Sequence, residues 1–402
     1  MKRIVVVGAG QRGYEFFATK IRDKYSNCVE IVGVYDKNRK RCEYYQKMIN
    51  PKMEVFDDFD KMLDKTKPDA VLVTTVDGFH HEYIIRSLDK GYDVFCEKPL
   101  TTTEENCLAI RQAEKRSGKK VRVTFNCRFM PYFAKMKEVL MSGVIGKPLA
   151  IHYEYVLNTK HGGDYFKRWH RFMQNSGGML VHKSTHHFDI INWLLQDDPT
   201  SVTAQGARLY YGNDNRPHGE RCLDCQYADT CESYICFKDD ESVRELYYNA
   251  EELDGYLRDH CSFKADTDIY DSMSVSVAYK KGTLLTYSLN LFSTDEGYTL
   301  NIIGEKGRME ASTFFGGDKH KLIVKYRDGR VDEITFPKTL GGHDGGDDRM
   351  LDMFFGGLTD DPLGQCSDSY DGVKSALIGI CSNRSIKEGK RINLTEILEK
   401  MK

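Results

Sequence analysis

The stretch Gly8-Ala9-Gly10-Gln11-Arg12-Gly13 follows the apolar run Ile4–Val7 and opens a helical pattern. Three glycines at this spacing allow a tight turn, a close approach of the backbone to a pyrophosphate, and close packing of a helix on a strand. The following helix offers free N–H groups and the positive end of its dipole to phosphate. We therefore predict a dinucleotide site on Gly8, Gly10, Gln11, Arg12 and Gly13. The alternative is that the glycines only shape a turn.

An acidic residue ends the next strand pattern. Asp36 follows the run Val29–Tyr35, where a carboxylate would bind the ribose hydroxyls and repel a 2′-phosphate. NAD is therefore favoured over NADP as the cofactor. Lys37 and Arg39 follow directly and weaken this preference, because basic side chains can accommodate the additional phosphate.

Short apolar runs alternate with helical patterns over residues 1–126. The runs are Ile4–Val7, Val29–Tyr35, Ala70–Thr75, Val94–Cys96 and Val121–Phe125. This alternation predicts an α/β dinucleotide-binding domain, a Rossmann fold with a doubly wound parallel sheet. Thr102 and Glu105 fit a capping box at the start of one of its helices.

Longer strand candidates follow in the rest of the chain. They are Ala150–Leu157, Val202–Ala207, Ser272–Tyr279, Leu284–Leu291, Thr299–Ile303, Lys321–Lys325 and Val331–Phe336. With a helix near Thr185–Leu195, they predict an α+β domain over residues 127–402 with a large open, mainly antiparallel sheet. A C-terminal helix over residues 370–386 is expected to pack back on earlier elements, and the polar segment 208–265 is expected to be an insertion.

Composition excludes several classes of protein. The chain has 402 residues with 58 Lys and Arg against 60 Asp and Glu, which argues against a nucleic-acid binder because such proteins carry a basic excess. No apolar run approaches the roughly 20 residues that a membrane-spanning helix needs. The apolar run after Met1 is too short for a signal peptide, so we expect a cytoplasmic protein, whose twelve cysteines would be free thiols or metal ligands.

Several motifs together resemble those of the Gfo/Idh/MocA family, the relatives of glucose–fructose oxidoreductase and inositol dehydrogenase. The motifs are Thr74–His80, Gly91–Pro99 with Glu97-Lys98-Pro99, Asn126–Phe129, and Gly177–Leu180 followed by His186 and Asp189. The resemblance implies a Rossmann domain followed by an open-sheet domain and nicotinamide-dependent chemistry on a sugar or cyclitol. It also implies a homodimer or homotetramer packed through the open sheet.

The resemblance also suggests roles for individual residues. Lys98 would polarise the reacting hydroxyl at the carboxyl ends of the strands, and His186 matches the family's proton acceptor. An imidazole with an ordinary pKa near 6.5 suits that work. Further cofactor contacts are expected at Thr75, His80, Glu97, Lys98 and Asn126, and weaker substrate contacts at Lys183, Tyr155, Trp169 and His343.

His182 departs from the family pattern, which has an aspartate four residues before the proton acceptor. On a continuous helix His182, His186 and Asp189 would share one face. His182 is then either a hydrogen-bonding partner in place of the aspartate or half of a metal-binding histidine pair. We favour the first interpretation.

The insertion contains a cysteine cluster. Cys222 and Cys225 have the Cys-x-x-Cys spacing of a zinc half-site, with Cys231 next. Cys236 follows nearby, and resemblance to a stretch of relatives favours Cys261 as the fourth ligand. We predict a structural zinc; unmetallated thiols and an iron–sulfur cluster are the alternatives.

The most direct hypothesis is an NAD-dependent dehydrogenase of a sugar, glycoside or cyclitol. The second is a glycosidase or lyase that retains NAD and acts by transient oxidation and elimination. The His182 substitution and the loop Gly341–Gly346 keep this second hypothesis open. The third is a dinucleotide-binding regulator without catalysis, against which the presence of Lys98 and His186 argues.

Overall fold

The computed structural model describes residues 1–315 and 318–402. Its first sheet has six parallel strands in the order β3-β2-β1-β4-β5-β6. The strands are β1 Lys2–Val7, β2 Val29–Tyr35, β3 Glu54–Phe56, β4 Ala70–Val73, β5 Asp93–Cys96 and β6 Val121–Val123. Ile4–Val7 is fully buried, as expected for a parallel strand covered by helices on both faces. The predicted doubly wound parallel sheet is confirmed.

Helices cover both faces of this sheet. They are α1 Thr19–Lys24, continuing a π-helical turn Gly13–Ala18, α2 Arg39–Ile49, α3 Phe59–Thr66, α4 His80–Asp89 and α5 Glu104–Ser117. The predicted capping box does not form, and the helix begins with a simple threonine cap one residue later. Thr103, not Thr102, is the N-cap of α5, and its hydroxyl accepts a hydrogen bond from Asn106 N.

The second sheet has nine strands in the order β14-β13-β12-β11-β7-β10-β9-β8-β15. The strands are β7 Pro148–Asn158, β8 Pro199–Ala207, β9 Ser272–Tyr279, β10 Leu284–Ser293, β11 Gly297–Gly304, β12 Gly307–Ser312, β13 Lys319–Tyr326, β14 Val331–Pro337 and β15 Ile392–Asn393. β7 and β10 are parallel and the other pairs are antiparallel, which confirms the predicted mainly antiparallel sheet. Met273, Val275 and Val277 are buried while Ser274 and Ser276 are exposed, so one face packs and the other is open.

Ten further α-helices complete the described part of the second domain. They are α6 Pro131–Met141, α7 Thr159–Lys167, α8 Met173–Ser176, α9 Met179–His182, α10 Ser184–Leu195, α11 Glu241–Leu246, α12 Glu251–Asp254, α13 Gly346–Phe355, α14 Ser369–Glu388 and α15 Thr395–Glu399. The helix α14 contacts α10 and β8 and also α5 and β6, so it touches both sheets. No helix in the described residues has the length and apolar character needed to cross a membrane.

Charged hydrogen bonds hold the insertion. Arg221 donates to Asp259 Oδ1 at 2.7 Å and to Glu251 Oε1 at 2.6 Å, and Cys222 N donates to Asp259 O at 2.8 Å. Within residues 1–315 and 318–402, no three His, Cys, Asp or Glu side chains are grouped so that they could hold a metal ion. The zinc prediction on Cys222, Cys225, Cys231, Cys261 and Cys236 is therefore not supported. Burial also raises the pKa of Cys261, which disfavours its thiolate.

Candidate functional site

The glycine loop packs directly on the end of β4. Gly8 has φ +94°, and a Cβ there would lie 2.6 Å from Thr74 C and from Thr75 N. A Cβ on Gly13 would lie 2.6 Å from Thr74 Oγ1. Only glycine fits such contacts without displacing the neighbouring chain. The loop Gly8–Gly13 and the adjacent Asp36 are called the glycine wall below.

Arg12 joins the glycine wall to the second domain. Its guanidinium donates to Glu97 Oε1 at 2.7 Å and to Asp347 Oδ1 at 3.1 Å. Asp347 also accepts from Asn126 Nδ2 at 2.8 Å and contacts His343 Nδ1 at 2.7 Å. Burial opposes the charge of Asp347, but the hydrogen bond with His343 and the charge of Arg12 hold its pKa below the usual range. This network brings the loop Gly341–Gly346 to the Rossmann domain.

Asp36 is fixed by the main chain at the ribose edge. Its carboxylate accepts from Ala9 N at 2.7 Å and from Asn38 N at 2.8 Å. The two basic residues that weakened the NAD prediction have other partners. Lys37 Nζ lies 4.8 Å from the centre of the Phe79 ring, and Arg39 donates to Glu43 and Asp57.

The insertion supplies a second wall, formed by residues 241–254 and called the insertion wall. Gln11 N donates to Tyr247 Oη at 2.9 Å, and a Cβ on Gly10 would lie 3.4 Å from the same oxygen. Asn38 Nδ2 donates to Ala250 O at 2.9 Å. The sequence showed no signal for these contacts, because they join segments more than 200 positions apart.

Lys98 lies where the two domains meet. Its Nζ donates to His182 O at 3.2 Å. Burial lowers the pKa of Lys98, while the nearby charges of Asp77 and Glu97 oppose that shift. Lysine in this setting can donate a hydrogen bond to a substrate oxygen and stabilise charge that develops there.

His182 is paired with an aspartate of the first domain. His182 Nδ1 lies 2.6 Å from Asp77 Oδ2, and both side chains are buried. Burial raises the pKa of Asp77 and lowers that of His182. Asp77 stands at the carboxyl end of β4, and this position is the signal that could have identified it from the sequence.

His186 has a free ring nitrogen. Its Nδ1 is buried and has no hydrogen-bond partner among the described residues, and its ring centre lies 6.3 Å from that of His343. Burial lowers the pKa of His186 well below 6.5, so the ring is neutral and able to accept a proton at neutral pH.

The expected continuous helix has an irregularity at Lys183, whose backbone keeps a helical conformation. That His182, His186 and Asp189 share one face stays a prediction. His182 ends α9 and His186 lies in α10, with Lys183 between them. Asp189 turns away to Arg128, which donates to it at 2.6 and 2.8 Å. His182 and His186 belong to no group of potential metal ligands in the described part of the chain, so the alternative of a metal-binding histidine pair has no support.

Aromatic rings extend the site into the second domain. Trp169 stacks on His170 with ring centres 3.6 Å apart, and His170 lies 4.2 Å from His182. His170 Nδ1 is buried without a hydrogen-bond partner among the described residues. The sequence interpretation missed His170, although it lies in an aromatic and basic run. Tyr155 stacks on His187 at 4.2 Å, with Lys183 Nζ 5.1 Å from its ring centre.

His80 lies inside the Rossmann domain and not on an open surface. Its ring nitrogens lie 2.8 Å from Pro99 O and 3.0 Å from Thr75 O, so its visible contacts are with the main chain around Lys98. The expected cofactor contacts of Thr75 and His80 therefore remain predictions.

The residues present fit a nicotinamide dinucleotide. Side chains at Gly8 and Gly13 would fill the turn, and the Oδ1 atom of Asn126 is buried without a hydrogen-bond partner among the described residues. The glycine wall would hold the phosphates and Asp36 the ribose. When bound, the cofactor would supply a two-electron acceptor or donor at the junction that holds Lys98 and His186.

Both parts of the chain match models of one protein family. A family model described as an oxidoreductase family with an NAD-binding Rossmann fold matches residues 2–125, and the model for its C-terminal alpha/beta domain matches residues 137–394. The chain belongs to the Gfo/Idh/MocA oxidoreductase family. The predicted resemblance is thereby confirmed over most of the chain.

Individual relatives of this family member differ in coverage. The YteT protein of Bacillus subtilis strain 168 is 33% identical over 428 residues, covering 99% of each chain. An inositol 2-dehydrogenase of Paracoccus denitrificans is 29% identical over 226 residues, which are 56% of this chain and 62% of that protein. The WlbA dehydrogenase of Bordetella pertussis, solved in complex with NADH and UDP-GlcNAcA, has a TM-score of 0.68 at 17% identity over 98% of each chain, which shows a shared fold.

Proposed function

We propose that this Gfo/Idh/MocA protein is an NAD-dependent dehydrogenase that oxidises or forms a ring hydroxyl of a sugar, glycoside or cyclitol. The observation that carries the proposal is the position of Lys98 at the domain junction, where it donates to the main chain of His182, four residues before a neutral His186. Relatives named inositol 2-dehydrogenase support a polyhydroxylated ring as the substrate.

The proposed reaction needs a group that accepts a proton and a group that stabilises the oxygen. In the oxidative direction His186 takes the hydroxyl proton and Lys98 stabilises the oxygen as it loses that proton. A bound nicotinamide would supply the acceptor for the carbon-bound hydride. The hydrogen-bonded pair of Asp77 and His182 positions the main-chain oxygen that accepts from Lys98. Trp169 offers an apolar face to the C–H side of a sugar ring, and Lys183 and Tyr155 remain proposed substrate contacts.

A second candidate is an NAD-retaining glycosidase or lyase. Here a bound nicotinamide would serve as a transient hydride acceptor at C3 of the sugar, which acidifies the C2 proton. Loss of that proton and of the glycosidic oxygen leaves a C1–C2 double bond, which a lyase would retain and to which a glycosidase would add water. The observation that favours it is His343, which is held by Asp347 at 2.7 Å and lies 6.3 Å from His186 between ring centres. This arrangement provides a second imidazole for removing a carbon-bound proton.

Product analysis distinguishes the two candidates. The purified protein is mixed with NAD and a panel of cyclitols, free sugars and aryl glycosides, and both absorbance at the NADH band and sugar products are followed. The dehydrogenase predicts NADH in a one-to-one ratio with the oxidised ring. The glycosidase or lyase predicts cleaved glycoside without net NADH. Dinucleotide binding without turnover of any panel member would favour the non-catalytic regulator.

We also propose a homodimer or homotetramer formed through the open face of the second sheet. That face exposes Ser274, Ser276 and Thr286, and it is not covered by any described helix of the same chain. Light scattering coupled to size-exclusion chromatography measures the assembly directly, and a monomer at micromolar concentration would contradict the proposal.

A further inference from the structure

Two of the basic residues after Asp36, Lys40 and Arg41, are paired with acidic residues of the insertion wall. Lys40 pairs with Glu252 and also donates to Asn249 O at 3.0 Å. Arg41 Nη2 lies 2.8 Å from Asp254 Oδ2. In dinucleotide-binding folds, basic side chains at this place can accommodate a 2′-phosphate. The insertion therefore pairs both cations, Lys40 on the exposed surface and Arg41 beside Asp36.

Arg41 is the basic residue closest to the Asp36 carboxylate. Its Nη1 lies 3.7 Å from Asp36 Oδ1, and its Nε donates to Leu246 O at 2.8 Å. The guanidinium also lies 5.4 Å from the centre of the Tyr247 ring. Arg41 is thus held between the glycine wall and the insertion wall by contacts on several sides.

The contact with Asp254 is an ion pair without a directed hydrogen bond. Arg41 Nη2 is buried and has no hydrogen-bond partner among the described residues, although the Asp254 oxygen is close. This N–H could therefore turn to an incoming phosphate oxygen if Asp254 did not hold the charge. Arginine binds phosphate well because its planar group presents several donors.

We propose that Asp254 of the insertion is a positioning residue for cofactor specificity, which excludes NADP by holding Arg41 against Asp36. Asp36, Arg41 and Asp254 together carry a net charge of about −1 when all three are ionised. This charge repels a 2′-phosphate but tolerates a neutral ribose hydroxyl. The inference rests on the proposed NAD-dependent function, and it assigns the insertion a role in selecting the cofactor.

The test measures the dissociation constants of NAD and NADP by isothermal titration calorimetry on the whole protein. In Asp254→Asn, the NADP-to-NAD ratio of dissociation constants should fall on the order of tenfold, because one nearby negative charge is removed and Arg41 is released. Asp254→Glu keeps the negative charge and should therefore retain most of the parent's preference for NAD. Glu252→Gln is the matched control: it removes a charge in the same helix from a pair with Lys40, and its ratio should stay within about twofold of the parent.

A second background tests whether Asp254 acts through Arg41. In Arg41→Gln, the further change Asp254→Asn should alter the ratio by less than about threefold, since coupled residues show non-additive effects. An undiminished effect in that background, an unchanged ratio in Asp254→Asn, or a parent that binds both cofactors equally would overturn the inference. A parent that binds neither dinucleotide would instead contradict the proposed function.

Discussion

The two walls of the nucleotide site are specified in different ways. The glycine wall depends on the backbone conformation of a short segment, because Gly8 needs φ +94° and leaves no room for a Cβ. The insertion wall depends on contacts such as that of Tyr247 with Gln11, which are 236 positions apart. Local constraints leave a readable pattern in the sequence, whereas contacts between distant segments need the fold before they can be seen.

A variant outside both walls separates catalysis from nucleotide binding, and it should have the largest effect. His186→Ala should lower turnover by roughly 10²–10⁴-fold, the usual scale of general acid–base catalysis. NAD affinity should change little, because the glycine wall holds the phosphates. Steady-state rates and calorimetric titration measure the two quantities.

The control for this prediction is His152→Ala, which replaces an exposed histidine on the open sheet. It should leave turnover close to that of the parent. Turnover of His186→Ala at the rate of His152→Ala would remove His186 from the mechanism. A parallel loss of NAD binding would show that His186 supports the nucleotide site.

The glycine wall itself can be broken by one methyl group. Gly8→Ala should destabilise the protein by about 2–4 kcal/mol, from backbone strain and overlap with the main chain of Thr74. NAD affinity should fall more than about tenfold, since the loop must move away from β4. Urea unfolding and calorimetric titration measure these effects.

Gly91→Ala is the matched control, because Gly91 has a similar φ of +86° but a Cβ there meets nothing within 4 Å. It should show only the part of the destabilisation that comes from backbone strain, with NAD affinity unchanged. Equal losses of stability in the two variants would show that contact with β4 contributes nothing.

The sequence predicted the parts of the site that follow local rules. The strand β2 was predicted with its exact residues, and Glu97-Lys98-Pro99 identified the position of Lys98 after β5. The irregularity at Lys183 could not be predicted, since every residue of Met179–Leu195 is compatible with one helix. The pairing of Asp77 with His182 joins two domains, so neither residue reveals its partner.

For the cysteines, a local sequence pattern predicted a metal site that the structure does not support. Cys222 and Cys225 have the spacing of a zinc half-site, yet spacing alone does not direct side chains to a common point. In the structure the adjacent Arg221 and Asp259 order this segment through charged hydrogen bonds. These tertiary contacts join residues 38 positions apart, so the local cysteine spacing could not reveal them.

Buried histidines should make the free energy of unfolding depend on pH. We expect this effect to be smaller than that of Gly8→Ala. Burial lowers the pKa values of His170, His182, His186 and His187 well below 6.5 in the folded protein. Their unfolded forms titrate near 6.5, so their contribution is complete above that pH and is lost as the pH falls toward the lower folded values. Each should cost up to about 1.4 kcal/mol per pH unit in that window.

Urea midpoints at pH 7.5, 6.0 and 5.0 measure this dependence. His170→Phe removes one of the titrating rings but keeps an aromatic ring beside Trp169, so its stability should fall less steeply below pH 6.5 than that of the parent. Identical slopes for the two proteins would indicate that His170 gains a proton without cost in the folded state.

The smallest expected effect belongs to the insertion wall. Tyr247→Phe keeps the ring but removes the oxygen that accepts from Gln11 N at 2.9 Å. The N–H groups at the start of a helix are the groups that bind phosphate, so the tyrosine hydroxyl competes for one of them. Without this competitor NAD should bind about 2–10-fold more tightly, which corresponds to the net value of one hydrogen bond. Weaker binding, measured by the same titration, would instead mean that Tyr247 stays in the complex and donates its own hydrogen bond to the phosphate. The insertion wall would then contribute to affinity in the same way as the glycine wall, and the two walls would differ only in how the sequence encodes them.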